Sequence, residues 1–257
     1  MKRFVLPILP NPEGMIRLYE KDYHYLVRVR RLKTGMCFDA VVPGGAETRV
    51  RILSTVDNIL IGECLGLSET RLPSIPPIAL FQGLPKGVKM DLIVRHAAEG
   101  GVSVVAPFES EYSTAHLNNS TEKLKRWERI IREARQQSGS AIQTEIRPPC
   151  GINSLMEYWE SLKKNYRRPL GILLHQEVLE NGTFHDYLFN CPDFVVLAVG
   201  PEGGFSQKET ALFKAAGFRP LLMGNTILRT ETAALYGTAA IRIILLENEA
   251  WTIRLTE

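Results

Sequence analysis

No apolar run in these 257 residues approaches the roughly 20 that a membrane-spanning helix needs. The N-terminal stretch from Phe4 to Leu9 is short, broken by Pro7, and followed by Pro10-Asn11-Pro12 where a secretory leader would have small residues. No membrane partner is expected, and the expected location is cytoplasmic. Cysteine is scarce: Cys37, Cys64, Cys150 and Cys191 lie far apart, with no C-x-x-C spacing and no histidine beside them at metal-ligand spacing. That pattern excludes a disulfide framework or a structural zinc site as the organising device, and no metal is expected. Long-range charge imbalance is also missing, since the formal net charge is only +3. The excess lies within residues 1–72, which hold 11 Lys/Arg against 8 Asp/Glu. A polyanion partner for that part is the functional reading, and an ordinary solvated surface is the plain one.

What is present is the composition of a globular protein, 45% hydrophobic and 23% charged, which rules out disorder as its main state. The length favours two domains. From 36 to 65 the chain reads as short strands broken by Pro43-Gly44-Gly45 and Asp57-Asn58, a small antiparallel sheet or barrel. Ahead of it, residues 22–32 read as one helix capped by Asp22, with Tyr25, Leu26, Val29 and Leu32 on one face. The proline-bearing stretch 68–77 reads as a linker, giving domains 1–72 and 73–257. Beyond it strands alternate with helices: strands at 78–81, 102–105, 170–174, 194–199 and 220–223, and helices at 89–99, 120–137, 207–216 and 231–247. The predicted fold class is therefore α/β, with a mostly parallel sheet covered on both faces.

Three strand ends carry the candidate chemistry. Val199-Gly200-Pro201-Glu202-Gly203-Gly204-Phe205-Ser206 joins a strand to a helix, and Ser206 with Glu209 has capping-box spacing. Its glycine spacing is neither that of a phosphate loop nor that of a dinucleotide fingerprint, and no lysine follows it. Glu202 inside the turn would repel a phosphate, so a neutral or cationic ligand fits better; a bare strand-to-helix turn is the plain alternative. The second end is 221–234, where Thr230 is placed to cap a helix bearing Glu231 in its first turn and Arg229 stands just ahead. A local ion pair is the plain reading of Arg229 and Glu231. The third is Leu174-His175, and ends of adjacent parallel strands can share a pocket. Basic residues cluster at Arg28, Arg30, Arg31 and Lys33, at Lys86 and Lys89, and along one face at Lys125, Arg129 and Arg132. Phosphate binding and plain solvation compete as readings of these stripes.

The sequence resembles the SPOUT, or alpha/beta-knot, RNA methyltransferases, and within them the family that methylates N3 of a uridine in 16S ribosomal RNA. The resemblance rests on Gly200-Pro201-Glu202-Gly203-Gly204-Phe205-Ser206 and on Leu222-Met223-Gly224 followed by Ile227-Leu228-Arg229-Thr230-Glu231-Thr232-Ala233. It extends to residues 26–32 with Gly35, to 86–90, and to 133–139, so that it covers nearly the whole chain in order. It implies an N-terminal PUA-like barrel that grips RNA, a C-terminal trefoil-knotted domain, S-adenosylmethionine as methyl donor, 16S rRNA within the small subunit as partner, and a homodimer. Carried onto this sequence, it implies that backbone groups at Leu222, Gly224 and Leu228 hold the adenine, with Gly200 and Gly203 near the ribose and methionine parts. Leu174, His175, Val199, Glu202, Met223, Ile227, Thr232 and Ala233 complete the expected cofactor site. Arg229 is expected to stabilise charge on the uracil carbonyls, with Glu231 or Glu202 handling the N3 proton. Arg3, Arg28, Arg31, Lys86 and Lys89 are the expected RNA contacts. Three positions depart from the family pattern: His96-Ala97-Ala98-Glu99-Gly100-Gly101 lacks the usual leucine before its last glycine, Ser140 replaces an arginine, and Arg30 replaces a leucine. The first predicts a looser helix end. Two competing readings are a non-catalytic RNA-binding module and a methyltransferase of the same superfamily with another target.

Overall fold

The computed structural model describes residues 3–68, 75–114, 120–176, 183–190 and 192–248. It divides into two compact units, Met1–Leu72 with Arg135–Gln143, and Pro73–Ala134 with Thr144–Glu257.

The first unit is a five-stranded sheet of β1 (Phe4–Val5), β2 (Met15–Leu18), β3 (Cys37–Val41), β4 (Glu47–Val56) and β5 (Ile59–Ser68), in the order β1-β3-β4-β5-β2. Only the β1–β3 pair is parallel. Along β4, Thr48, Val50 and Ile52 point inward while Arg49 and Arg51 face water, and register shifts after Thr48 and Ile52 bend the strand. The inward side chains close over Phe4, Ile16, Phe38 and Leu60.

Between β2 and β3 the predicted helix is different in kind. Helix α1 (Glu20–Tyr23) starts ahead of Asp22, which therefore does not cap it, and runs straight into a π-helical stretch, His24–Val29. Burial of Leu18, Tyr23 and Leu26 in the sheet core sets where the helix begins. The Arg30 amide donates to the Tyr25 carbonyl, one residue further back than in an α-helix. The wider turn breaks the predicted face, leaving Val29 59% exposed while Leu26 is buried.

A cut at residue 72 is too simple in one respect. Residues Arg135–Gln143 group with the first unit, because Gln136 pairs with the backbone of β1. Its amide accepts from Val5 N at 2.9 Å and donates to Val5 O at 2.6 Å, as a neighbouring strand would.

In the second unit come β6 (Ile78–Gly83), α2 (Lys89–Glu99), β7 (Val104–Glu109), α3 (Ser120–Ser138), β8 (Glu145–Ile146), β9 (Cys150–Gly151) and α4 (Ile152–Asn165). These are followed by β10 (Pro169–Leu174), α5 (Phe184–Phe189), β11 (Phe194–Val199), α6 (Gln207–Ala215), β12 (Arg219–Leu221) and α7 (Thr230–Asn248). The strands lie in the order β12-β10-β11-β6-β7-β8, with β9 also against β7, and each recorded pairing is parallel. Alternate residues feed two cores. Ile78, Leu80, Val195 and Leu197 meet residues of α2, α3 and α7 on one face; Ala79, Phe81, Val196 and Ala198 meet those of α4 and α6 on the other.

Helix α4 went unread in the sequence although Leu155, Trp159 and Leu162 mark its buried stripe, because no side chain caps it. Its Trp159 indole donates to the Ala216 carbonyl at 2.9 Å. The helix end predicted to be loose is closed: Gly100 N donates to His96 O and Val102 N to Ala97 O, both at 2.8 Å. The turn after Gly100 is made by Gly101, whose positive φ of 72° lets Val102 reach back to the last turn of the helix.

Replacing Gln136 by alanine strands both polar groups of Val5, and should destabilise the first unit by about 1–3 kcal/mol. Urea unfolding of wild type and variant measures this.

Candidate functional site

The strand order sets the carboxyl ends of β12, β10, β11 and β6 side by side. The chain leaves β6 for β7 on one side and returns to β10 and β11 on the other, so the order reverses next to β6, where open parallel sheets bind ligands. At that place a buried amide ties three segments together. Gln82, fully buried at the end of β6, donates through Nε2 to Thr230 Oγ1 at 2.9 Å, and Thr230 Oγ1 donates to Gly200 O at 2.6 Å. Thr230 therefore does not cap α7. Arg229 takes the position before the helix, its carbonyl receiving Ala233 N at 2.8 Å, and the threonine hydroxyl is turned to the glycine loop. Gly83 completes the seam, since a Cβ there would lie 2.6 Å from the Pro201 ring and 2.8 Å from its nitrogen.

A charged cluster stands on this seam. Lys89 Nζ, at the first turn of α2, lies 2.6 Å from Glu202 Oε1 and 3.9 Å from Glu231 Oε2. Glu202 also accepts from Lys86 N at 3.1 and 3.3 Å. Burial pushes the Glu202 carboxyl up, but the Lys89 hydrogen bond, the backbone donors and attraction to the Lys89 charge outweigh it and hold the group below its ordinary value. Glu231 is different: its Oε2 is buried and has no hydrogen-bond partner. Two expectations change. Lys89 stands between two carboxylates instead of free for a phosphate, and the Glu202 charge is spent on Lys89 and the start of α2. The preference for a positive ligand rests on the whole cluster, two carboxylates against one ammonium.

The glycine loop is fixed at its far end by the predicted capping box of Ser206 and Glu209. Glu209 does more than cap, because it also accepts from Ser110 Oγ at 3.0 Å and Glu111 N at 2.9 Å beyond β7. His175 is occupied: Nδ1 accepts from Gln176 N at 2.7 Å and Nε2 meets Thr210 Oγ1 at 3.2 Å, which gives it a local structural task. Val199, Leu174, Met223 and Ala233 pack with the core. In the loop before α7, Leu222, Gly224, Ile227 and Arg229 are exposed, Ile227 at 88%, whereas Leu228 and Thr232 are half-buried. Among the basic residues, Arg3 pairs with Glu47 at 2.8 Å, while Arg28, Arg31 and Lys86 are exposed.

Gln82 escaped the sequence reading. The signal was a lone amide ending an apolar run before Gly83, since a polar side chain in a buried strand needs a partner. Because the Glu202 pKa is depressed on folding, its ion pair contributes stability above the ordinary carboxyl value of 4.5 and loses it as pH falls through the lower folded value. Glu202→Gln should remove that acid-side loss, so its melting temperature should fall less than wild type's between neutral and acid pH. Thermal melts across that range check it.

The model of an RNA methyltransferase domain matches residues 72–242. The chain is 32% identical over 240 residues to the ribosomal RNA small subunit methyltransferase E of Synechocystis sp., covering 91% of this chain and 74% of that one. It is 28% identical over 227 residues to the ribosomal RNA small subunit methyltransferase E 2 of Borreliella burgdorferi, covering 88% and 89%. Among solved structures, the ribosomal RNA small subunit methyltransferase E of Neisseria gonorrhoeae bound to S-adenosyl methionine superposes with a TM-score of 0.78, at 25% identity over 95% of this chain and 98% of that one. With a charged cluster seated where an open parallel sheet binds ligands, and with likeness of this extent, the chain belongs to the ribosomal RNA small subunit methyltransferase E family of RNA methyltransferases.

Proposed function

We infer that this chain methylates N3 of a uridine in 16S ribosomal RNA within the small subunit. It is an S-adenosylmethionine-dependent rRNA methyltransferase. The observation that carries the mechanism is the Lys89–Glu202–Glu231 cluster, which puts a buried, unbonded carboxylate oxygen two residues from an exposed arginine.

The residues fit the cofactor. One unbalanced negative charge suits a sulfonium, and the glycine loop and the 222–228 loop offer backbone groups with open space above Gly204 and Gly224. When bound, S-adenosylmethionine supplies the methyl group. The protein must align uridine N3 with it and exclude water, and positioning supplies much of the rate. The N3 proton must leave, because the protonated imide nitrogen is a poor nucleophile. Glu231 takes it: Glu202 is saturated by Lys86 and Lys89, whereas Glu231 Oε2 accepts no hydrogen bond and meets Lys89 only at 3.9 Å. Arg229 stabilises the negative charge that develops on the uracil carbonyls.

In this reading the first unit is a PUA-like barrel that holds the RNA through Arg28 and Arg31, with Lys86 contributing from the second unit. The second is an alpha/beta knot, and Tyr236 and Ile243, exposed on α7 at 54% and 48%, belong to the contact of a homodimer. The supports are the curled sheet with its free arginines, the parallel sheet of family order, and the uncovered apolar side chains.

Arg229→Ala should lower kcat by about 100-fold, and Glu231→Gln by about 100-fold or more, with cofactor affinity by calorimetry unchanged for Arg229→Ala. A missing 3-methyluridine in rRNA digests from a deletion strain tests the target itself. Reversing the charges of Arg28 and Arg31 together should weaken RNA binding and lower the slope of log affinity against log salt by about 2. Filter binding at several salt concentrations reads that slope, and an unaltered slope rejects the assignment.

A further inference from the structure

Tyr112 has no part in the chemistry above, yet it is mounted with unusual care. It lies in the turn that leaves β7, where Ser113 N donates to Ser110 O at 2.9 Å and Ser110 N to Ser113 Oγ at 3.1 Å. Glu209, only 6% exposed, accepts from Ser110 Oγ, Glu111 N and Ser206 N at 2.9 to 3.0 Å. One buried carboxylate thus pins the Tyr112 turn to the end of the glycine loop. On that support Tyr112 backs directly onto the loop: a Cβ at Gly203 would stand 2.7 Å from Tyr112 Cβ. Only a residue without a side chain at 203 lets the tyrosine approach. Its own side chain nonetheless remains 49% exposed.

A large aromatic ring gains nothing from facing water, and a ring held by a fixed turn loses little entropy when a flat partner covers it. Nucleobases are such partners, since each has a π-face and stacks on tyrosine without demanding a sequence. We propose that Tyr112 is a stacking platform for a base of the RNA substrate brought to the glycine loop. The inference rests on the RNA methyltransferase reading for the identity of that ligand.

Tyr112→Ala keeps the Cβ that touches Gly203, so the turn survives; Tyr112→Trp keeps a stacking ring and adds a fluorophore. With unmethylated small subunits as substrate, Tyr112→Ala should raise the KM for RNA roughly 10-fold or more, leave kcat within a few-fold, and be rescued by Tyr112→Trp. Fluorescence of the Trp variant should be quenched on adding small-subunit rRNA. If instead S-adenosylmethionine alone quenches it and the Ala variant loses cofactor affinity in calorimetry, the ring serves the cofactor and the RNA platform is overturned. No quenching by either ligand, with KM and cofactor affinity unchanged in Tyr112→Ala, overturns the platform. Wild type that fails to methylate small subunits overturns the enzymatic reading instead, while quenching still reports on stacking.

Discussion

A fully buried amide at the end of a parallel strand must find partners or cost the fold the desolvation of its polar groups. The Gln82 nitrogen finds them in Thr230 and in the carbonyl of Gly200, 118 residues along the chain, while its oxygen is left without a hydrogen bond. Those contacts set the start of α7 against the glycine loop, and with it the residues on either side of Thr230. Arg229 is left outside the helix and exposed, whereas Glu231 begins the first turn and is turned toward Lys89. The close approach of Gly83 to Pro201 holds the same seam from the strand side. The chemistry of the site is therefore placed by neutral hydrogen bonds and steric fit, with the charges arranged upon that frame.

The charges then divide the labour. Lys89 is a shared counter-ion, close enough to Glu202 for a hydrogen bond and farther from Glu231. Glu202, with its oxygens filled by Lys86 and Lys89 and its pKa depressed, is a poor proton acceptor. A second carboxylate, Glu209, has a purely architectural task, joining the glycine loop to the turn after β7.

Several elements were legible because their signals are local. Helix α2 spans the predicted 89–99, β11 the predicted 194–199, and the Ser206–Glu209 box forms as its spacing requires. The alternation of strands with helices beyond residue 77 announced a sheet covered on both faces, and a core lies on each face. The misreadings share a cause. Asp22 and Thr230 were given capping roles from their immediate neighbours, but the helix starts ahead of Asp22 and the Thr230 hydroxyl answers to Gly200, 30 residues away. The π-helical stretch had no signal at all in a pattern tuned to α-helical spacing.

The sequence alone determined the alternation of strands and helices in the second unit, the glycine loop between β11 and α6, and the residue types gathered near it, because periodicity and capping act within a few residues. Only the tertiary structure decided which of two glutamates is left with an oxygen that accepts no hydrogen bond, that Lys89 is engaged, and that Tyr112 backs onto Gly203. Those outcomes depend on side chains more than 90 residues apart competing for the same few ångströms, and spacing along a chain carries no record of that competition.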